Sequence, residues 1–112
     1  MKKVAVINSD PDFRRLVKSF LERKGYAALT INIDEPVLPP LIELQPDVIV
    51  LDINAEKDAH VCEQIRRHEK VRRARLVILT EYHPDTLQCD ADEVLIKPFA
   101  PEDLLEKIAL LA

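Results

Sequence analysis

The chain has 112 residues, 47% of them hydrophobic and 32% charged, the balance of one compact domain rather than of a disordered or membrane-spanning chain. A net charge of −4 argues against nucleic acid as the partner of the whole surface, and a single glycine, Gly25, excludes phosphate-binding glycine loops and dinucleotide turns. The longest apolar runs are too short for a bilayer, and the N-terminus lacks the long apolar core of an export signal. Two cysteines, Cys62 and Cys89, are too few for a disulfide framework and fit a reducing cytoplasm.

Residues 4–7 read as a short apolar strand. Asp10 and Pro11 follow as a helix N-cap and a proline at the first helical position. Phe13, Leu16, Val17, Phe20 and Leu21 then recur at helical spacing up to Gly25, placed where a left-handed residue ends a helix. Residues 27–31 are a weaker strand. A helix is due over 35–45, but Pro36, Pro39 and Pro40 interrupt it and confine it mostly to the stretch after Pro40. Residues 48–51 form the clearest strand, apolar on both faces as a central parallel strand must be. A helix over 59–69 turns Val61, Cys62 and Ile65 inward, 76–79 is another buried strand, and 94–96 is a short fifth. Pro101 opens a last helix that buries Leu104, Leu105, Ile108 and Leu111. The alternation predicts one α/β domain over residues 1–112, a parallel sheet with helices on both sides and no repeat or linker.

Open parallel sheets carry their functional groups outside the carboxyl ends of the strands. The first strand runs into Asn8, Ser9 and Asp10, the third into Asp52, the fourth into Thr80, and the fifth into Lys97 and Pro98. Alone, Asp52 reads as a structural cap; the set, gathered at one sheet edge, points to chemistry. The basic stretch 66–75 lies at a helix C-terminus, where solvated cations complement the dipole, with phosphate or acidic-partner binding as the other reading. His60, His68 and His83 with the two cysteines lack any zinc spacing, and Cys62 reads as a small core residue.

In its order and spacing this set resembles the receiver domain of response regulators, along the whole chain. The segments that carry the likeness are Pro-Asp-Val-Ile-Val-Leu-Asp at 46–52, Val-Ile-Leu-Thr at 77–80, Ile-Lys-Pro-Phe at 96–99, the opening at 2–13, and Gly25-Tyr26. The resemblance implies a flavodoxin-like, CheY-like three-layer fold with five parallel strands in the order 2-1-3-4-5. It further implies that Asp52 accepts a phosphoryl group from a sensor histidine kinase or phosphotransfer protein. Thr80 would hydrogen-bond that group, Lys97 would pair with its charge, and the Lys97–Pro98 bond would be cis. Such transfer needs mainly positioning and positive charge near the equatorial oxygens.

The chain departs from the family at the metal site. Asn8 and Ser9 stand where the family keeps two acidic Mg²⁺ ligands, leaving Asp52 and the carbonyl of Asn54 for an ion that wants hard oxygens in octahedral array. Asp10 is the one candidate to replace a lost carboxylate, against its reading as an N-cap. Asp52 and Lys97 balance in charge without metal, with Asn8 and Ser9 as neutral hydrogen-bond partners. Mg²⁺ binding is therefore expected to be weak or absent, and phosphorylation poor or absent.

The output side departs as well. The 54–59 loop lacks the family's Met-Pro and glycine, the fourth helix is shortened to about 85–89, and Val94 replaces the switch aromatic. The expectation is a non-enzymatic, cytoplasmic signal-transduction module acting through protein–protein contacts, with a kinase, a phosphotransfer protein or a downstream protein as partner. No direct nucleic-acid or membrane contact is expected, and a homodimer stays open. The alternatives are a working phospho-acceptor, or the regulatory part of a DNA-binding regulator whose output domain lies outside this chain.

Overall fold

The computed structural model describes residues 1–54, 58–81 and 89–112. Five strands, β1 (Lys3–Asn8), β2 (Ala27–Asn32), β3 (Val48–Ile53), β4 (Arg75–Thr80) and β5 (Glu93–Ile96), form one parallel sheet in the order β2-β1-β3-β4-β5. The described helices are α1 (Pro11–Arg23), α2 (Leu38–Leu44), α3 (Ala59–Arg67) and α4 (Pro101–Leu111). This is the flavodoxin-like arrangement and strand order that the family resemblance implies. None of the helices is long and apolar enough to cross a membrane.

Side chains of successive strand residues point to opposite faces, and the two faces carry separate apolar clusters. Ala5, Ile7, Ile49, Leu51, Leu76 and Ile78 pack with Leu41 of α2 and Val61, Cys62 and Ile65 of α3. Val4, Val6, Val48, Val50, Val77 and Leu79 pack with Val17 and Leu21 of α1 and Leu104 and Ile108 of α4. Leu105 and Leu111, expected to be buried, are only partly covered.

Helix boundaries follow local chemistry. The Asp10 carboxylate accepts the Asp12 N–H at 2.9 Å, Pro11 occupies the first helical position, and Gly25 takes φ +89° just past the end of α1. Pro39 and Pro40 do not delay α2 until after them, as the sequence suggests. The helix starts at Leu38 and takes both prolines into its first turn, where an N–H has no helical partner to lose. α3 stops at Arg67 rather than running to residue 69. Residues 85–88 of the helix expected over about 85–89, His83 and the loop residues 55–57 lie outside the described residues.

Two expectations are corrected. Cys62 is a fully buried core residue as predicted, but it is also joined to Cys89 in a disulfide. Two cysteines 27 residues apart meet because α3 and the entry to β5 lie side by side. Arg66, the first residue of the basic stretch, is not a solvated charge. Its guanidinium donates to the carbonyls of Asp90 (2.8 Å), Arg72 (3.0 Å) and Ala74 (2.9 Å) and pairs with Asp92 at 3.0 Å. Asp92 also accepts the Leu76 N–H at 2.7 Å and pairs with Arg75 at 3.2 Å.

Candidate functional site

Strand alternation selects which of the strand-end residues meet. On β1, Asn8 continues the row of Val4 and Val6; on β3, Asp52 continues Val48 and Val50; beyond β5, Lys97 continues Leu95. All three rows face the α1–α4 layer. Thr80 instead continues Leu76 and Ile78 toward α2 and α3, aligned with Ile53. The structure therefore brings Asn8, Asp52 and Lys97 together, while the fully buried Thr80 is not among the residues lining their cavity.

At the centre lies Asp52, 2% exposed. The Asn8 side chain accepts the Asp10 N–H through Oδ1, which fixes the amide so that Nδ2 donates to Asp52 Oδ2 at 2.6 Å. The other oxygen, Oδ1, is buried and faces the Lys97 ammonium in an ion pair. Lys97 follows β5 directly and precedes a cis peptide bond to Pro98. It donates a second hydrogen bond to Asn54 Oδ1, and Asn54 Nδ2 reaches Ser9 Oγ at 3.4 Å. The Ser9 contact is thus with Asn54, not with Asp52. Asp10 is exposed at the head of α1, with its carboxylate in the N-cap bond. Arg14 secures the end of β1 by donating to the Asn8 carbonyl at 2.7 Å.

Asp58 was not singled out by sequence reasoning. It is 5% exposed and accepts the Asn54 N–H at 3.3 Å. Its only sequence signal is an aspartate ahead of a helix, which reads as a cap, although its side chain caps nothing in α3. Burial pushes the Asp52 carboxyl above the usual range. Lys97 and the Asn8 amide oppose that rise, and the nearby Asp58 charge adds to it.

In this arrangement the residues that would hold Mg²⁺ are turned toward one another rather than presented to a cation. Both Asp52 oxygens face donors, the Asn8 amide presents N–H toward the carboxylate where a cation needs oxygen, and the Asn54 side-chain oxygen faces an ammonium. Among the described residues no group of three or more His, Cys, Asp or Glu side chains is placed to hold a metal ion. What the arrangement does chemically is neutralise a buried carboxylate from within. Beside it, a cavity of 420 Å³ opens between α1 and α4, polar at Asn8, Asp52 and Lys97 and apolar along Phe13, Phe20 and Leu105.

The family model for the response regulator receiver domain matches residues 4–109. The chain belongs to the response regulator receiver domain family. Among solved structures, this receiver domain is similar to the chemotaxis protein CheY4 of Vibrio cholerae, with 26% identity and a TM-score of 0.86 over 100% of this chain and 99% of that one. The response regulator TrrA of Thermotoga maritima, solved with Mg²⁺ and BeF, is 30% identical with a TM-score of 0.83 over the full length of both. Relatives include the probable transcriptional regulator ycf27 of Guillardia theta, 30% identical over 96% of this chain and 44% of that one. The DNA-binding regulator RpaA of Synechocystis is 30% identical over 99% of this chain and 49% of its own length. The receiver domain thus spans about half the length of these curated relatives.

Proposed function

We propose that this receiver domain transmits its signal through protein–protein contacts, with little or no Mg²⁺-dependent phosphorylation at Asp52. The observation that carries the reading is the Asn8–Asp52–Lys97 cluster. In phosphoryl transfer a cation draws charge from the transferring group, and without it several kcal/mol of transition-state stabilisation are lost. An amide and an ammonium on the same carboxylate support a resting arrangement that needs no cation and leaves the Asp52 oxygens engaged. A sensor histidine kinase, a phosphotransfer protein or a downstream protein in the cytoplasm is the partner proposed, and the domain is not an enzyme. In this reading Thr80 has no phosphoryl group to bind, Asp10 serves as a helix cap, and any Mg²⁺ held by Asp52 and Asn54 is weakly held.

The test is intact mass after incubation with acetyl phosphate and Mg²⁺, beside an Asp52→Ala control. An unchanged mass supports the reading. A gain of one phosphoryl group, absent from the control, overturns it and makes Asp52 a working switch.

One observation favours a second reading at the level of the whole protein. The chain matches about half the length of transcriptional regulators such as the DNA-binding regulator RpaA. On that reading it is the regulatory part of a DNA-binding regulator. Gel-shift of the natural full-length protein on its own promoter region, lost when residues 1–112 are kept alone, is the result expected.

A further inference from the structure

Cys62 lies fully buried on α3, and Cys89 is partly exposed four residues ahead of β5. Their Cα atoms are 6.1 Å apart and their sulfurs are bonded. That separation lies within the span a disulfide bridges without backbone movement. A cavity of 250 Å³ reaches both cysteines, walled by Ile53, Ile78, His60 and Glu63. It is distinct from the Asp52 cavity and opens on the other face of the sheet, where Ile53 and Ile78 point. The volume admits a small thiol, and His60 and Glu63 make part of its wall polar.

The pair is also placed to matter. Among the described strands β5 lies at the edge of the sheet, hydrogen-bonded to β4 alone, and Lys97 follows its last residue. The entry to β5 is tied to α3 covalently by Cys62–Cys89 and non-covalently by Arg66, which holds the Asp90 carbonyl and the Asp92 carboxylate. Reduction removes the covalent tie and leaves the polar one.

We propose that Cys62 and Cys89 form a dithiol–disulfide exchange site for a small thiol, and that its state fixes or releases the entry to β5. A thiolate RS⁻ attacks the Cys89 sulfur, the less buried of the two, forming RS–S–Cys89. The Cys62 thiolate leaves and takes a proton. A second RS⁻ attacks the sulfur of the first, releasing RSSR and the Cys89 thiolate, which takes the second proton. Two RSH are oxidised to RSSR and one protein disulfide is reduced to two thiols; RSSR drives the reverse.

The test equilibrates the folded chain with mixtures of reduced and oxidised glutathione, quenches in acid, then denatures, alkylates and weighs it. Both cysteines are expected to pass together from alkylated to protected as oxidised glutathione rises. Cys62→Ala, which keeps Cys89, is expected to take up one glutathione. Amide NMR signals of residues 89–97 should differ between the two states. The reduced form should melt lower by a shift on the order of 10 °C, because closing a loop of this length restricts the unfolded chain. Cys89→Ser, which keeps the fully buried Cys62 in place, should show the reduced-form spectrum even under oxidising conditions. Two alkylatable thiols at every glutathione ratio, or protection only after denaturant is added, would overturn the exchange site. Exchange with unchanged signals over 90–97 would overturn its hold on β5.

Discussion

Asp52 and Asp92 are both aspartates paired with basic side chains, yet their titrations run in opposite directions. Asp52 is buried deeply enough that desolvation outweighs Lys97 and Asn8, so its folded pKa is raised. A raised carboxyl binds its proton more tightly in the folded state, so its contribution to stability falls as pH climbs above about 4. Asp52→Asn should therefore leave the protein at least as stable at pH 7, gaining up to about 1 kcal/mol, since Lys97 can turn toward water. Asp92 is the reverse case. Burial pushes its carboxyl upward, but the Leu76 N–H, Arg66 and Arg75 together outweigh that and hold it below the usual range. Its contribution is present above the unfolded value and is lost as pH falls through the lower folded one. Asp92→Asn should cost about 1–2 kcal/mol at pH 7 and flatten the acid limb of the stability curve. Urea titrations at several pH values check both signs, and a loss of stability in Asp52→Asn at pH 7 would contradict the first.

The same residues allow a gain-of-function test. Asn8→Asp with Ser9→Asp returns carboxylates to the end of β1, where the present amide offers N–H. The double variant is expected to bind Mg²⁺, seen as saturable shifts of the Asp52 and Lys97 signals, and to gain phosphoryl mass from acetyl phosphate. The unmodified chain should show neither. This part of the site was legible in the sequence because charge is additive: one carboxylate and one lysine cancel wherever the strands bring them together. Direction is less legible. Whether Asn8 or Ser9 turns toward Asp52 depends on the Asp10 N–H that fixes the Asn8 amide. The placement of Thr80 away from the cavity depends on counting strand parity to the last residue.

Helices and strands were legible to the extent that they are periodic. α1 carries both a cap and a stop signal, and those signals have measurable weight. Gly25 has open space where a Cβ would go, so Gly25→Ala costs only the backbone strain of φ +89°, about 1 kcal/mol. α1 also shows that an apolar spacing does not measure burial. Leu16 is 52% exposed beside the Asp52 cavity, while Leu21 is fully buried. Leu16→Ser should shift stability by less than about 0.5 kcal/mol, and Leu21→Ala should cost about 2–5 kcal/mol in the same urea assay. α2 starts earlier than its sequence suggests because a proline reads as a breaker in sequence, whereas in a first turn it costs no hydrogen bond.

At the scale of the whole molecule, the two apolar clusters share one sheet. Adjacent residues of β4 such as Ile78 and Leu79 anchor opposite layers. Neither layer can be lost without exposing the sheet that supports the other, so the transition should be two-state. Far-ultraviolet dichroism and tyrosine fluorescence should give coincident urea midpoints, and two separated midpoints would show the layers melting independently. Fold and topology were legible because they rest on many redundant residues. Contacts made once by a single pair, such as Cys62 with Cys89 or Arg66 with Asp92, carry no repeated pattern to read.

Arg66 has a consequence for how the far end of the domain behaves. One guanidinium holds the turn after α3 through the Arg72 and Ala74 carbonyls and the entry to β5 through Asp90 and Asp92. Two segments distant in sequence therefore share a common latch. A binding event that draws Arg66 away, by offering it a carboxylate or phosphate, would loosen both at once, freeing the turn after α3 and leaving the entry to β5 on its disulfide and on the Leu76 and Arg75 contacts of Asp92.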